Sequence, residues 1–327
     1  MILKNIAILS KFIKSKVTHK PFLLSHMITS ACNANCEFYY WKEHFINELT
    51  YENIVNLYKE AKKYGFKILV IWGGEPLLRK DICEILKIAK ENDFYIQLIT
   101  NGFLLPQKAK DISRYLDSLV VSVDNIGEKH DEIRKLNGCF SNLDKGTDIF
   151  NKHKRKTAKL YFNCCLTKNN QPNIKNLLNF ARRKKAGITF DEIIVNESTK
   201  RLQLKSEDLS VIFREILQYK SEGYPVVNSN LHLQQLINKK ELPKCIYHNI
   251  CLTVGPSGDI NTVCRPYVDN NWSTKNRGLD FLSTKEYRDY QHKTYKCPFK
   301  CNDVASREFY FLWNFKLESI FNLIRCA

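Results

Sequence analysis

The chain has 327 residues, 44% of them hydrophobic, enough to bury a large core in one main domain with a smaller appendage. A formal net charge of +17 invites a nucleic-acid partner. However, the lysines spread over most predicted helices and no RNA-binding signature stands out, which argues against a specific nucleic acid and for a solvated basic surface that leaves attraction to anionic lipid or an acidic substrate open.

From Ile2 to Val17, Ile2, Ile6, Leu9, Phe12 and Ile13 recur at helical spacing with Lys4, Lys11, Lys14 and Lys16 between them. Such a basic amphipathic helix can lie in a membrane interface or pack over the end of a barrel. This start is interrupted by lysines and has no small-residue cleavage site, so no signal peptide is expected. No run reaches the ~18 uncharged apolar residues of a membrane span. The twelve cysteines are therefore expected to be metal ligands and buried thiols of a cytoplasmic protein, with peripheral membrane contact as an extension.

The apolar run Phe22 to Ile28 predicts a first strand, followed by the loop Cys32-Asn-Ala-Asn-Cys36-Glu-Phe38-Tyr39. Helical periodicity in Tyr51 to Tyr64 then precedes a strand at Lys67 to Trp72, and Asp81 to Asn92 precedes Tyr95 to Thr100. Pro106 to Leu116 precedes Ser118 to Val123, Asn142 to His153 precedes Lys159 to Leu166, and Asn173 to Lys184 precedes Thr189 to Val195. The run Arg182 to Lys185 sits at a helix end, where cations complement the dipole. Strands alternating with helices imply an α/β fold with a parallel sheet, and right-handed crossovers curl it into a partial (β/α)6, TIM-like barrel. Chemistry on such a barrel gathers where strands end.

Those ends carry an ordered set of motifs. The cysteine loop follows the first strand, Gly73-Gly74-Glu75-Pro76 the second, Asn101-Gly102 the third and Ser122-Val123-Asp124 the fourth, with His130 to Arg134 and Gly138-Cys139-Phe140 beyond. In this order they resemble the radical S-adenosylmethionine (radical SAM) enzymes. The resemblance implies a [4Fe-4S] cluster on the loop, S-adenosylmethionine on its open iron, and a 5′-deoxyadenosyl radical that takes hydrogen from a substrate. It also implies that Gly73 and Gly74 let the backbone approach the methionine moiety and that Glu75 accepts from its amino group. Asn101, Ser122 and Asp124 would serve the ribose and methionine groups, and Phe38 would face the adenine. Taken singly, each has a structural explanation: Gly-Gly is often only a turn, Asp124 a cap, and His130, Asp131 and Arg134 an exposed helix start with paired charges. Cys83, Cys164, Cys165 and Cys326 are assigned to packing.

The loop departs from the family at one position. Where C-x3-C-x2-C would supply three thiolates, the third residue is Tyr39, and Cys32 and Cys36 are the only cysteines before Asp81. A tyrosinate oxygen is harder than sulfur, its usual pKa is near 10, and the ring carries it farther from the backbone. A lapsed enzyme, an unusual ligand set and an altered residue all remain open.

Toward the C-terminus, Cys245 and Cys251 precede a hairpin-like stretch with a Ser257-Gly258-Asp259 turn, then Cys264, and later Cys297 and Cys301. This resembles the SPASM or twitch extension of the family. It implies one auxiliary iron–sulfur cluster on Cys245, Cys264, Cys301 and either Cys251 or Cys297, with tetrahedral zinc as the alternative. The expected divisions are an amphipathic helix at 1–20, the barrel at 21–200 and a helical connector at 201–240. A small cysteine-rich domain follows at 241–305, then an apolar segment at 306–327. The expected partners are a small-molecule or peptide substrate and a reductant such as a flavodoxin or ferredoxin. The competing expectation is a non-catalytic cluster- or zinc-binding interaction protein on the same fold.

Overall fold

A computed structural model describes residues 2–38, 47–168, 170, 173–193, 199–260, 273–274, 278–296, 301 and 303–320, with side chains from residue 8 onward. Tyr39, Cys264, Cys297 and Cys326 lie outside the described residues.

Seven strands form one parallel sheet: β1 (Leu23–Met27), β2 (Ile68–Trp72), β3 (Tyr95–Thr100), β4 (Ser118–Ser122), β5 (Lys159–Leu166), β6 (Gly187–Glu192) and β7 (Cys251–Val254). Their order is β6-β5-β4-β3-β2-β1-β7. The crossovers are α2 (Tyr51–Tyr64), α3 (Ile82–Glu91), α4 (Leu105–Ile112), α5 (Glu128–Arg134) with α6 (Cys139–His153), and α7 (Ile174–Arg183), after the leading helix α1 (Ile2–Thr18). Helix α2 shows how local sequence sets an element. Thr50 accepts from the Asn53 amide at its start, Gly65 ends it at φ 90°, and Ile54, Leu57, Tyr58 and Ala61 form the buried stripe.

The six expected strands and their helices match the α/β barrel expectation, but the sheet has a seventh member. Cys251–Val254, expected as part of a hairpin, instead pairs in parallel with β1, Leu23 opposite Cys251 and His26 opposite Val254. Among the described residues, the antiparallel turn is kept by isolated bridges, Val254 with Ile260 and Asp259 with Ser273.

Alternation along the strands separates core from cavity. On β5, Leu160, Phe162, Cys164 and Leu166 are buried against the helix layer, while Asn163 and Cys165 line the interior. Beyond β6 come α8 (Ser206–Ser221), α9 (Asn230–Ile237), α10 (Tyr247–Ile250), α11 (Lys285–Tyr295) and α12 (Val304–Trp313). Helix α12 packs on α9, α10 and β6 and so closes one side of the interior.

The other end of the barrel is sealed by a second core. Ile8 and Phe12 of α1 pack with Phe22, Leu23, Ile68, Tyr95 and Trp313, at the strands' N-terminal ends. The buried part of the α1 stripe therefore covers the barrel, leaving Ile13 and Val17 exposed at 52% and 78%. Among the described residues, no helix is long and apolar enough to cross a membrane.

Candidate functional site

The loop after β1 and the Gly73-Gly74 turn after β2 are built against each other. The Gly74 amide donates to Thr29 O (2.9 Å) and the Glu75 amide to Ala31 O (2.8 Å). A Cβ on Gly73 would sit 2.4 Å from Thr29 O, and one on Gly74 would sit 2.2 Å from Ala31 O. Whatever they allow a ligand, both glycines are required by the chain itself.

This contact opens a cavity of about 530 Å³ at the C-terminal strand ends. Its walls include Cys32, Asn33, Cys36 and Phe38 from the loop, Gly73, Gly74, Asn101 and Ser122 from the next three strand ends, and Arg134, Asn163 and Cys165. Five of the seven expected cofactor contacts line this space, and Glu75 and Asp124 lie behind its wall. Asn101 Nδ2 donates to Asn33 Oδ1 (2.8 Å) and Asn101 Oδ1 accepts from the Phe103 amide (3.0 Å), so this side chain is fixed before any ligand arrives. Glu75 and Asp124 do not face the cavity; both are fully buried. Glu75 Oε1 accepts from Leu77 N (2.9 Å) and Thr100 Oγ1 (2.7 Å), and Oε2 accepts from Asn101 N (2.7 Å). Burial raises its pKa against those three hydrogen bonds. Glu75 therefore braces the β2 and β3 ends.

Asp124 plays a comparable part with a charge added. Its Oδ1 accepts from the Cys165 amide (3.0 Å) and its Oδ2 pairs with Arg134 Nη2 (2.5 Å). Arg134 reaches on to Cys36 Sγ (3.9 Å) and lies 5.3 Å from the Phe38 ring centroid. Its backbone carbonyl receives the Asn35 amide (3.1 Å) and the Cys36 thiol (3.8 Å). Burial works to lower the guanidinium's pKa, but Asp124 first, then Cys36 and Cys139, hold it above the ordinary value. Arg134 in turn opposes the upward push of burial on Cys36; burial raises Cys32 as well. His130, also fully buried, is held neutral by burial and then by Arg134, and accepts from the Asp124 amide (3.2 Å). The charged helix start expected at 130–134 is thus split. Lys129 and Glu132 make the surface pair, while Arg134 turns inward to the loop.

The residues present fit S-adenosylmethionine: a glycine-walled space of suitable size with polar groups at Asn33, Asn101 and Ser122 and an aromatic face at Phe38. For the cluster the donor set is incomplete. Cys32 and Cys36 would supply two thiolates, and no group of three metal-ligating side chains occurs among the described residues. Of the C-terminal cysteines, Cys251 is fully buried at the start of β7, donates to Tyr247 Oη (3.3 Å) and is pushed up to about 12 by burial. Cys245 is half-buried and Cys301 exposed.

A family model described as the radical SAM superfamily matches residues 27–181. The chain is 32% identical over 238 residues to the GTP 3′,8-cyclase of Campylobacter jejuni (strain RM1221), covering 67% of this chain and 67% of that protein. It shares its fold with Streptococcus suis SuiB bound to S-adenosylmethionine, with a TM-score of 0.68, 17% identity, and coverage of 86% of this chain and 71% of that one. Native anSMEcpe with bound AdoMet shares it at a TM-score of 0.63 and 16% identity, over 92% of this chain and 98% of that one. Motif order, cavity and relatives agree, and the chain belongs to the radical SAM superfamily.

Proposed function

We propose that this chain binds S-adenosylmethionine in the cavity between Cys32 and Gly74 and presents it to a small-molecule or peptide substrate in the barrel interior. Cluster-dependent reductive cleavage awaits a third thiolate that Tyr39 does not provide. The observation that carries this is the site built around the loop: Gly73 and Gly74 seat Thr29 to Ala31, and Asn101 and Arg134 hold Asn33 to Phe38, all at one cavity. Within it, Asn101 and Ser122 would meet the polar groups of the ligand, Phe38 its base, and Arg134 would set the charge beside Cys36. Cluster chemistry in this family draws on an external reductant of the flavodoxin or ferredoxin kind.

A single auxiliary iron–sulfur cluster on Cys245, Cys264, Cys301 and either Cys251 or Cys297 belongs to the same proposal, with zinc as the competing occupant. So does peripheral contact with an anionic membrane through exposed Ile13 and Val17 and the neighbouring Lys14 and Lys20.

The test is Tyr39→Cys. The chain as it stands should bind S-adenosylmethionine but release little 5′-deoxyadenosine with dithionite. The variant should gain about four irons per chain and release it, and adding Cys36→Ala should abolish both gains. If Tyr39→Cys acquires neither iron nor cleavage, the second reading, a non-catalytic binding protein, is the better one; it is favoured already by the two-thiolate loop. Robust cleavage by the unmodified chain would refute the role given to Tyr39.

A further inference from the structure

Behind the cofactor cavity lies a second one of about 550 Å³, which shares Phe38, Trp72, Asn163 and Cys165 with the first. This is the size of a small-molecule site. Its walls are mainly apolar and aromatic, with Tyr247 and Phe309 opposite the sheet. In a chain with a formal charge of +17, its lining among the described residues has three carboxylates and no Lys, Arg or His.

The three carboxylates are not equivalent. Burial lowers the pKa of the Arg307 guanidinium, which Asp303 and then Glu192 oppose, and Glu192 also accepts from Gln203 Nε2 (3.4 Å). Asp303 caps α12, accepting from the Ser306 amide (2.9 Å). Asp191 is different. The β5–β6 register sets it opposite Cys165, which lines both cavities. Its Oδ1 accepts from the Val304 amide (2.7 Å) and its Oδ2 from Asn163 Nδ2 (2.6 Å), which fixes the carboxylate while leaving acceptor capacity on both oxygens. No cationic side chain among the described residues pairs with it. Burial first, then Asp303, push its carboxyl up to about 6, so near neutral pH it is ionised with its charge balanced only in part, by the first amides of α12.

We propose that this cavity binds a primary amine carried on an apolar or aromatic body, with Asp191 receiving the ammonium group and the aromatic walls its body. The ammonium supplies the charge the site lacks, and ring faces attract cations in a desolvated space. Asn163 and Cys165 then stand between this ligand and the adjoining cavity. The inference rests on that adjoining cavity being the cofactor site proposed above.

Equilibrium dialysis at about pH 7.5, with the full chain and without S-adenosylmethionine, compares 2-phenylethylamine with 2-phenylethanol. The amine should bind about ten- to a hundredfold more tightly, the range of a charge-assisted hydrogen bond. Asp191→Asn, which keeps an acceptor for the Val304 amide, should bring the two ligands level. Equal binding by the natural chain, no amine binding at millimolar concentration, or a preference that survives Asp191→Asn would each overturn the proposal; the first two need no variant to fold. Labelled S-adenosylmethionine is dialysed in parallel. Its failure to bind beside an intact amine preference sinks the proposed function alone, and the converse sinks the amine site alone.

Discussion

Removing either partner of the Arg134–Asp124 pair should destabilise the chain far more than a surface charge would. The Asp124 side chain is 0% exposed and that of Arg134 11%, so neither charge can turn to solvent when its partner is lost. Breaking such a buried pair from one side costs about 3–5 kcal/mol, because the remaining charge stays buried without compensation. Arg134→Met leaves Asp124 with the Cys165 amide as its hydrogen-bond partner and also removes the contacts to Cys36 and the Phe38 ring. Asp124→Asn leaves the guanidinium among sulfur and aromatic groups. The double variant removes both charges and should recover most of the loss, since the coupling between contacting residues exceeds the ~0.5 kcal/mol scatter of independent sites. Urea unfolding reads this directly: at an m-value of about 3 kcal/mol/M each single variant should lower the midpoint by about 1–1.7 M. A single-variant loss under ~0.5 kcal/mol, typical of surface positions, or a double variant no better than the worse single one, would refute the reasoning.

Two further outcomes follow from the same geometry. Gly74→Ala places a Cβ 2.2 Å from Ala31 O, so the loop backbone must yield by about 1 Å. A cost of about 2 kcal/mol or more, seen as a lowered melting temperature, should come with loss of S-adenosylmethionine binding, and unchanged values for both would show that the loop is not seated there. Asp191 adds a pH dependence: its folded carboxyl is raised to about 6 from an ordinary 3.8, so the folded chain binds this proton more tightly than the unfolded one. The stability it contributes is complete below about pH 4 and is lost as pH rises through about 6. Asp191→Asn should therefore be more stable than the natural chain at neutral pH, with the gain shrinking on acidification; a gain independent of pH would discard the assigned titration.

The strands and crossover helices were legible because each has a local period. Leu160, Phe162, Cys164 and Leu166 alternate with residues of other kinds, and Ile54, Leu57, Tyr58 and Ala61 recur at helical spacing. Strand β7 was not legible. Four residues between a helical turn and Pro256-Ser257-Gly258 look locally like half a hairpin, and only the distant partner Leu23 decides otherwise. For the site, residue types were readable and directions were not. Glu75 and Asp124 carry the right chemistry at the right strand ends, but whether a carboxylate faces a cavity or braces the wall behind it is settled by tertiary burial. Arg134 shares its helix with a surface pair of the expected spacing, which hid its inward turn. Asn163, Cys165 and Asp191 had one available signal, their place on the face of β5 and β6 opposite the apolar residues.

Those braces predict that the stretch from Thr29 to Cys36 keeps its order without metal. Glu48 Oε1 accepts from Thr29 Oγ1 (2.9 Å) and the Ser30 amide (2.8 Å), and Thr29 and Ala31 receive the amides of the glycine turn. Asn33 is held by Asn101, and the Asn35 amide is held by the Arg134 carbonyl (3.1 Å). Every second residue from Thr29 to Asn35 is thus tied to another element, and Cys36 is only 6% exposed. On the proposed reading of Tyr39, the scaffold would then stay folded with two thiolates, and a cysteine at that position would have only to complete a cluster site and not to rebuild it. Hydrogen exchange on metal-free Cys32→Ser/Cys36→Ser protein checks this, because the Asn35 and Gly74 amides should remain protected to the level of neighbouring strand ends. If those amides exchange at the rate of an unstructured peptide in the metal-free chain, the loop owes its order to a cluster, and replacing Tyr39 by itself should not be expected to recover one.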